Sequence, residues 1–452
     1  MKNFASSSFP LLLLIMVSSL ACSKAENEVK PTLQETIEQN LKIELNATLH
    51  PLSTTDPSLP LNDLDFLGNL GNAKIVGMGE ATHGTQEFFQ MKHRIFKYLV
   101  EKQGFRYLAF EYDLGGCMAL NELIQSGQGD IKAWMSQQMY FWTWRTEEVL
   151  QLFLWMQDYN RNKPDAEKVH LVGVDCQFTS QSVPQLVNLL SRYDNNFASE
   201  VSNKLSSLVK AELYKGENFN SIQQARNGVL PQINEVGRAL DERAASISQL
   251  TSPAYYQQIR RVYETIVQAE IIQYSQIINA ETSFNFREKY MAENLDWIFS
   301  QYGNVKVALW AHNEHVAKND QFVSFGTKSL GGNIQAKYGT AYQVIGFSMG
   351  SGDFKAYNLT NNRLETMRLD APLANSFNDQ FTQVDEPRYG VKLADLQKRY
   401  FWNGRLSSSR PFLSIGAVFN AQQVENYFYT IRLDQLYDVI FHFDNTNPSQ
   451  VF

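Results

Sequence analysis

The stretch AKIVGMGEATHGTQEFFQMKHRIFKYLVEKQGFRYLAFEYD, residues 73–113, indicates the fold class of this chain. Its two apolar runs, residues 73–78 and 106–110, are too short for helices and rich in β-branched or aromatic residues, which is typical of strands buried on both faces. Between them, apolar side chains recur at helical spacing until Gly104. Strand, helix and strand in this order predict a right-handed parallel βαβ unit.

Three further apolar runs of the same kind follow along the chain, at residues 169–174, 305–310 and 342–347. Residues 143–162 have the apolar spacing of a helix and precede the third predicted strand. We therefore predict an α/β fold in which helices flank a mostly parallel sheet.

Residues 183–299 differ from the rest because they show long helical patterns, polar on one side, and no strand-like run. We predict that they form a helical insertion between the third and fourth strands, either a lid over the sheet or a scaffold layer on one face. The α/β core would then comprise residues 46–182 and 300–452. Two apolar runs in its tail, residues 412–419 and 437–443, are predicted as strands at the sheet edge.

The first residues, 1–21, have the features of a secretory signal peptide: a lysine, a short apolar run and small residues. The sequence SLAC at residues 19–22 resembles a bacterial lipobox, which predicts a lipid on Cys22 and a polar tether over residues 22–45. An ordinary cleaved signal is the alternative. We expect an exported lipoprotein on the outer membrane or cell surface, or in the periplasm, that touches the membrane only through Cys22, because no second apolar stretch approaches membrane-spanning length.

Composition narrows the class of partner. The net charge is −7, and no long run of lysine or arginine occurs, so the basic surface of a nucleic-acid-binding protein is absent. Hydrophobic residues make up 44% and charged residues 19% of the chain, which is enough apolar surface for a sizeable core.

The cysteines Cys117 and Cys176 could pair only if the fold brings them together, and two buried thiols are the expected state.

Polar residues follow four of the predicted strands, at the point where each strand ends. In open α/β sheets, ligands bind beyond the carboxyl ends of the strands, so these side chains should converge on one site. Three of the seven histidines are among them. In chain order the set is Glu80, His83, Glu111, Asp113, Asp175, His312, Asn313, Glu314 and His315.

These residue types favour acyl hydrolysis by activated water. A histidine held by a carboxylate is a general base, and Glu80 stands three residues before His83, within reach across a tight turn. His312 or His315 could then polarise a carbonyl or stabilise an oxyanion. Such a reaction requires no covalent nucleophile.

Six segments, in this order and at these distances, resemble the erythromycin esterase family over roughly residues 60–350: GEATHGTQEFFQMKHRIFKYLV, LAFE, WTWRTEEVLQLFLWMQDYN, GVD, REKYMAENLDWI and LWAHNEHVA. The resemblance implies an α/β core with helical additions that hydrolyses the macrolactone ring of macrolides without a metal or another cofactor. It implies a general base at His83 and supporting catalytic roles for Glu80, Glu111, His312 and His315. The implied partner is a small-molecule ester or macrolactone.

One position departs from the family pattern. Well-studied esterases of the family have an arginine after the second-strand glutamate, and this chain has Tyr112 there, which cannot supply a permanent cation. Arg287, on a helix upstream of the fourth strand, is the predicted replacement. Asp175 and Trp144 complete the predicted substrate-binding residues, with Trp144 in the aromatic segment MYFWTWR at residues 139–145.

Three other functions remain open on the sequence. A serine esterase would use Ser348 in GFSMG, residues 346–350, with His442, although the polar, glycine-rich segment after Ser348 predicts a turn where a nucleophile elbow needs a helix. A metal-dependent hydrolase could bind its ion with the same histidines and carboxylates. A non-catalytic binding lipoprotein would keep an apolar pocket without needing a titratable cluster.

Overall fold

The structure is a computed structural model that describes residues 32–214, 218–323 and 327–452. The predicted signal peptide and Cys22 lie outside the described residues. Within those ranges the chain forms twelve strands, namely β1 (His50–Pro51), β2 (Ile75–Met78), β3 (Tyr107–Asp113), β4 (His170–Asp175), β5 (Val307–Trp310), β6 (Tyr342–Asn358), β7 (Arg363–Leu369), β8 (Arg388–Lys392), β9 (Arg410–Leu413), β10 (Val418–Phe419), β11 (Phe428–Ile431) and β12 (Val439–Thr446).

The described ranges also contain sixteen α-helices. They are α1 (Leu33–Asn46), α2 (Gln86–Gln103), α3 (Leu114–Ser126), α4 (Ile131–Gln138), α5 (Glu147–Asn160), α6 (Ser182–Ser191), α7 (Asn195–Leu205), α8 (Phe219–Glu242), α9 (Ala244–Leu250), α10 (Pro253–Ile278), α11 (Ala280–Tyr302), α12 (Asn313–Val316), α13 (Leu330–Tyr338), α14 (Phe377–Phe381), α15 (Leu393–Leu396) and α16 (Tyr400–Leu406). None of the described helices is long and apolar enough to cross a membrane.

A mostly parallel sheet forms the centre of the fold. Its strand order is β1-β8-β12-β6-β2-β5-β3-β4, and β7 and β10 pair with the extension of β6. The run from β12 to β4 is parallel throughout, whereas β8 and β1 add antiparallel at one edge. A small second sheet pairs β9 with β11. The predicted α/β fold with flanking helices is confirmed.

The two faces of the sheet are buried in different apolar clusters. Successive residues of a strand point to opposite faces, so Ile75 packs in one cluster while Val76 packs in the other. Helix α2 covers the face of Val76, and it ends as predicted at Gly104, whose φ of 75° is the left-handed conformation that glycine adopts without strain. This two-sided burial explains why the strands read as continuous apolar runs.

Six helices, α6 to α11, lie between β4 and β5, and the described part of this segment contains no strand. Their apolar faces join the cluster that contains Ile75, with Ile266 from α10 and Leu295 from α11 among the buried side chains. They therefore cover one face of the sheet as a layer. Helix α11 packs against both α10 and β4, which brings its polar residues to the end of that strand.

The structure differs from two of the predictions. Residues 33–46 of the predicted tether form α1, which begins with a capping box between Thr32 and Glu35 and packs against α16 through the buried side chains of Leu41 and Leu45. The apolar spacing of this short helix is hidden among many polar residues. The tail strands are also placed differently.

Residues 412–419 divide between β9 and β10, which belong to different sheets. Residues 437–443 contribute to β12, which is an interior strand because β8 pairs with its outer side. Both predictions for the tail assumed that an apolar run adds to the sheet edge in chain order.

Candidate active site

The carboxyl ends of β2, β5, β3 and β4 lie side by side and bring the predicted polar residues together. Glu80 and His83 follow β2, Glu111 stands near the end of β3, and Asp175 ends β4. His312 and His315 follow β5, which pairs with both β2 and β3. The side chains of Glu80, Glu111 and Asp175 are at most 5% exposed. The convergence that follows from parallel strands is therefore present.

His83 is held by Glu80. The distance between His83 Nδ1 and Glu80 Oε1 is 3.1 Å, and the imidazole is 13% exposed. Because a carboxylate only accepts, we assign the ring proton to Nδ1, which leaves the lone pair on Nε2. Burial lowers the pKa of His83 to about 4, against the opposing effect of Glu111 and with help from His315 and Arg287. At neutral pH the ring is therefore neutral and able to accept a proton.

Lys92 is a site residue that sequence reasoning missed. Its Nζ donates to Glu80 Oε2, and it lies 4.1 Å from the centre of the Trp310 ring. The side chain is fully buried, and this burial lowers the pKa of Lys92 well below its usual range. A signal was present in the sequence, because Lys92 falls at i+4 from Phe88 and i−3 from Ile95, on the buried face of α2.

Arg287 joins the ends of two strands. Its Nη2 donates to Glu111 Oε1 at 2.9 Å and to Asp175 Oδ2 at 2.8 Å, and its Nε lies 3.2 Å from Asp175 Oδ1. Burial acts to lower the pKa of Arg287, but Asp175 and Glu111 outweigh it and raise that pKa. The cation predicted to replace the family arginine thus comes from α11, a helix outside the parallel strands.

His315 supplies a second positive charge. Its Nδ1 lies 2.7 Å from Glu288 Oε1, and its Nε2 lies 3.3 Å from Glu111 Oε1. Burial opposes protonation, yet Glu288 and Glu111 raise the pKa of His315 to about 10, so the ring is an imidazolium at neutral pH. Glu288 was missed in the sequence. It is fully buried on α11 beside Arg287, and its Oε2 accepts a hydrogen bond from the amide of Leu330.

His312 is placed differently from the prediction. Its Nε2 lies 3.0 Å from the carbonyl oxygen of Ile415, and its Nδ1 caps α12 by accepting from the amide of Glu314. Both ring nitrogens are thus engaged by the protein. Its own amide donates to Glu111 Oε2, and its ring lies 4.8 Å from that of His83. His312 therefore positions His83 and Glu111, and the predicted direct contact with substrate is not supported.

Tyr112 does not line the catalytic cavity but a small pocket beside it, together with Asp175 and Gln177, so its role in substrate binding stays a prediction. Its hydroxyl donates to the carbonyl oxygen of Gln138 and accepts from the amide of Tyr140. The reason is the alternation of side chains along β3, which directs Glu111 into the site and its neighbour away from it. Trp144, by contrast, packs edge-on against His83, with 5.4 Å between ring centres.

The site opens into a cavity of about 180 Å³ whose lining includes His83, Glu111, Trp144, Asp175, Arg287 and His315. A second cavity, of about 600 Å³, lies beside it and shares Gln177 and Arg287 as lining residues. Its walls are largely apolar, with Phe178, Ile272 and Phe284 among them. The titratable groups thus stand at one end of a larger apolar space.

Three other predicted strand-end residues serve the fold. Asp113 caps α3 by accepting from the amide of Gly116, and burial raises its pKa to about 7. Asn313 exchanges two hydrogen bonds with the backbone of Phe347 in β6. Glu314 accepts from Ser414 Oγ at 2.7 Å.

Ser348 lies inside β6 and is not at a nucleophile elbow. The strand continues to Asn358, so no helix follows the serine. Ser348 Oγ does contact His442 Nδ1 at 3.0 Å, and His442 Nε2 contacts Asp444 Oδ1 at 3.1 Å. This chain of contacts is buried between β6 and β12, with Ser348 and His442 fully inaccessible. Neither residue lines the two cavities described above.

Replacing Ser348 with alanine is expected to leave ester turnover within about threefold of wild type. The change removes one hydroxyl and leaves His442 and Asn378 each without one partner, which should cost about 1–3 kcal/mol of stability. Steady-state kinetics and thermal unfolding measure the two effects. Complete loss of turnover in a folded Ser348→Ala protein would restore the serine esterase hypothesis.

Comparison with known proteins identifies the same family as the sequence resemblance. The model of the family described as erythromycin esterase matches residues 100–446, which is more than half of the chain. YbfO of Bacillus subtilis is 26% identical over 57% of this chain and 60% of its own length. Erythromycin esterase type II of Escherichia coli is 25% identical over 67% of this chain and 74% of its own length.

A solved structure shares the fold. A mutant of the erythromycin esterase EreC in its open conformation superposes with a TM-score of 0.63 at 17% identity, and covers 88% of this chain and 97% of EreC. The match of the family model is consistent with the shared fold and with the cluster of polar residues at the strand ends. This chain belongs to the erythromycin esterase family.

Proposed function

We propose that this protein is a carboxylic ester hydrolase that opens esters or macrolactones with water activated by His83. The observation that carries the proposal is a neutral imidazole, held by Glu80 at 3.1 Å, on the wall of a cavity that also contains the cations of Arg287 and His315. Among the described residues, no hydrogen-bond partner reaches His83 Nε2. That nitrogen is the proton acceptor in the proposal.

The reaction proceeds by general-base catalysis. His83 Nε2 takes a proton from a water molecule, and the resulting hydroxide attacks the ester carbonyl carbon. Glu80 stabilises the imidazolium through Nδ1. The negative charge on the carbonyl oxygen develops beside Arg287 and His315, whose positive charges lower the energy of the tetrahedral intermediate. Collapse of the intermediate breaks the carbon–oxygen bond, and His83 returns its proton to the leaving alkoxide.

The cavities favour a large and mainly apolar substrate. The catalytic cavity of about 180 Å³ is the smaller and is lined by the titratable groups, whereas the adjoining one of about 600 Å³ has apolar walls. A macrolactone places a polar ester within a bulky, weakly polar ring, which matches this division. The name of the Escherichia coli relative, an erythromycin esterase, points to the same class.

A metal-dependent hydrolase is the second candidate, and one observation favours it. Potential ligand atoms of Glu80, His83 and Glu111 lie within 4.8 Å of one another. However, Lys92 already donates to Glu80 and Arg287 to Glu111, so a metal ion would have to compete with these donors for the two carboxylates and would lie beside the Arg287 cation. This arrangement favours water activation by His83 without a metal.

Incubation with erythromycin tests the proposal. We expect the protein from residue 23 onward to convert erythromycin into a product heavier by one water, detected by mass spectrometry, both before and after dialysis against EDTA. Loss of turnover after dialysis and its return with added zinc would select the metal-dependent mechanism. Hydrolysis of simple esters or other lactones but not of erythromycin would place the substrate elsewhere. No hydrolysis of any ester would contradict the proposed function.

A further inference from the structure

Residues 447–452 follow β12 and run past the carboxyl ends of the strands, where the site lies. We name these residues the strap. Their backbone contacts two segments far apart in sequence: the start of α2, which comes just after His83, and the start of α5, which comes just after Trp144. The strap lines neither of the two cavities. Any effect of the strap on the site therefore acts through these two segments.

The first half of the strap is bonded to the segment that carries His83. The amide of Gln86 donates to the carbonyl oxygen of Asn447 at 2.9 Å. Asn447 in turn donates to Glu87 through its amide and through Nδ2, at 2.9 and 2.8 Å. The amide of Ser449 donates to the carbonyl oxygen of Gly84 at 2.9 Å. Gly84 is the residue directly after His83.

The second half is bonded to the segment that carries Trp144. The amide of Glu147 donates to the carbonyl oxygen of Gln450 at 2.9 Å. The amide of Gln450 lies 3.3 Å from both carboxylate oxygens of Glu148. The amide of Phe452 donates to the carbonyl oxygen of Arg145 at 3.1 Å. Arg145 is the residue directly after Trp144.

Gly84 is fixed from two sides. Its carbonyl oxygen accepts from the amide of Ser449 and also from that of Lys355 in β6, both at 2.9 Å. A Cβ at this position would lie 2.0 Å from the carbonyl oxygen of Lys355, so only glycine fits. The two bonded segments meet inside the site, where the rings of His83 and Trp144 pack at 80°.

We propose that the strap is a positioning element that holds the His83 loop (residues 79–85) and the Trp144 segment (residues 142–146) in a fixed relation. Its catalytic consequence rests on the proposed function, in which His83 is the base. Each hydrogen bond is individually modest, but together they act on two short segments. A shift of roughly 1 Å in a catalytic group can lower a rate by about 100-fold.

Ser449→Pro tests the first half of the strap. Proline removes the N–H that bonds Gly84 without changing any residue that lines the site. We expect kcat to fall at least ~10-fold with a smaller change in KM, since the strap itself does not line the substrate cavity. Hydrogen exchange should rise in peptides that cover residues 79–90 and 139–147. Ser449→Ala is the matched control, because it keeps the N–H and removes only a buried hydroxyl that has no partner among the described residues.

Gln450→Pro tests the second half and serves where Ser449→Pro fails to fold. It removes the N–H that faces Glu148, and Gln450→Ala is its control because the Gln450 side chain is exposed. The expected result is a rise in hydrogen exchange that is largest in peptides covering residues 142–148. The fall in kcat should be smaller than that of Ser449→Pro.

The outcomes separate the strap from the proposed function. If hydrogen exchange rises in both segments of the proline variants while the wild type hydrolyses no ester, the strap is supported and the proposed function is contradicted. Wild-type turnover together with folded proline variants that match their alanine controls in kcat and exchange would contradict the strap and leave the function intact. A uniform rise in exchange across the whole chain would also contradict the strap, because it would show general destabilisation.

Discussion

Replacement of His83 by alanine is expected to lower kcat for ester hydrolysis at least ~100-fold while the protein remains folded. The loss follows from the removal of the group that accepts the proton of water in the transition state. The ring is 13% exposed and lines the catalytic cavity, so its removal should disturb the core little. Steady-state kinetics with the best ester, together with thermal unfolding, provide the measurement. Turnover close to that of wild type would reject His83 as the base.

The control is His170→Ala, the same substitution at the opposite end of the sheet. His170 begins β4 and stacks on Tyr107, far from the strand ends that form the site. We expect this variant to keep wild-type kcat. The pH profile of the wild type gives a second check, because the base must be unprotonated and burial lowers the pKa of His83 to about 4. Activity should therefore persist to near pH 4 and fall about tenfold per pH unit below it.

The part of the site that follows from strand topology could be predicted from the sequence. The predicted strands end at Glu80, Glu111 and Asp175, and parallel neighbours place such ends together whatever the exact strand order. The pairing of Glu80 with His83 was also accessible, because a tight turn limits the distance between residues three apart. The parallel core of the fold was predictable for a related reason, since strands buried on both faces show unbroken apolar runs.

The remaining contacts depend on distances through space that one sequence does not contain. Lys92 and Glu288 reach the site from helices. Helical spacing indicates that Lys92 is buried, but it does not show which strand end the helix packs against. His312 is adjacent to the predicted cluster, yet a carbonyl oxygen 103 residues away at Ile415 determines the use of its Nε2. The strap belongs to the same class, because its partners on α2 and α5 lie about 300 residues or more away in the chain.

Replacement of Arg287 by methionine is expected to destabilise the protein by about 3–5 kcal/mol at neutral pH and to abolish most ester turnover. The guanidinium bonds Glu111 and Asp175, whose side chains are 5% and 3% exposed, so its loss leaves two buried carboxylates short of positive charge. Arg261→Met is the control, because Arg261 is also largely buried but its carboxylate partner Glu264 is 42% exposed. We expect a smaller loss of stability in the control.

The pH dependence of Arg287→Met tests the electrostatic explanation. In the wild type, burial acts to raise the pKa of Glu111, but His315, His83 and Arg287 outweigh it and hold that pKa well below its usual value of 4.5. A carboxyl group with a depressed folded-state pKa stabilises the fold above its unfolded pKa, and this contribution is lost as the pH falls through the folded pKa. Without Arg287 the depression is weaker, so the variant has less of this stabilisation to lose. The difference in unfolding free energy between wild type and Arg287→Met, measured in urea, should therefore be largest at neutral pH and narrow below about pH 4.5. A difference that stays constant from pH 7 to pH 3 would show that Arg287 acts through packing. The negative charges of Glu111 and Asp175 would then have to be balanced by another positive group.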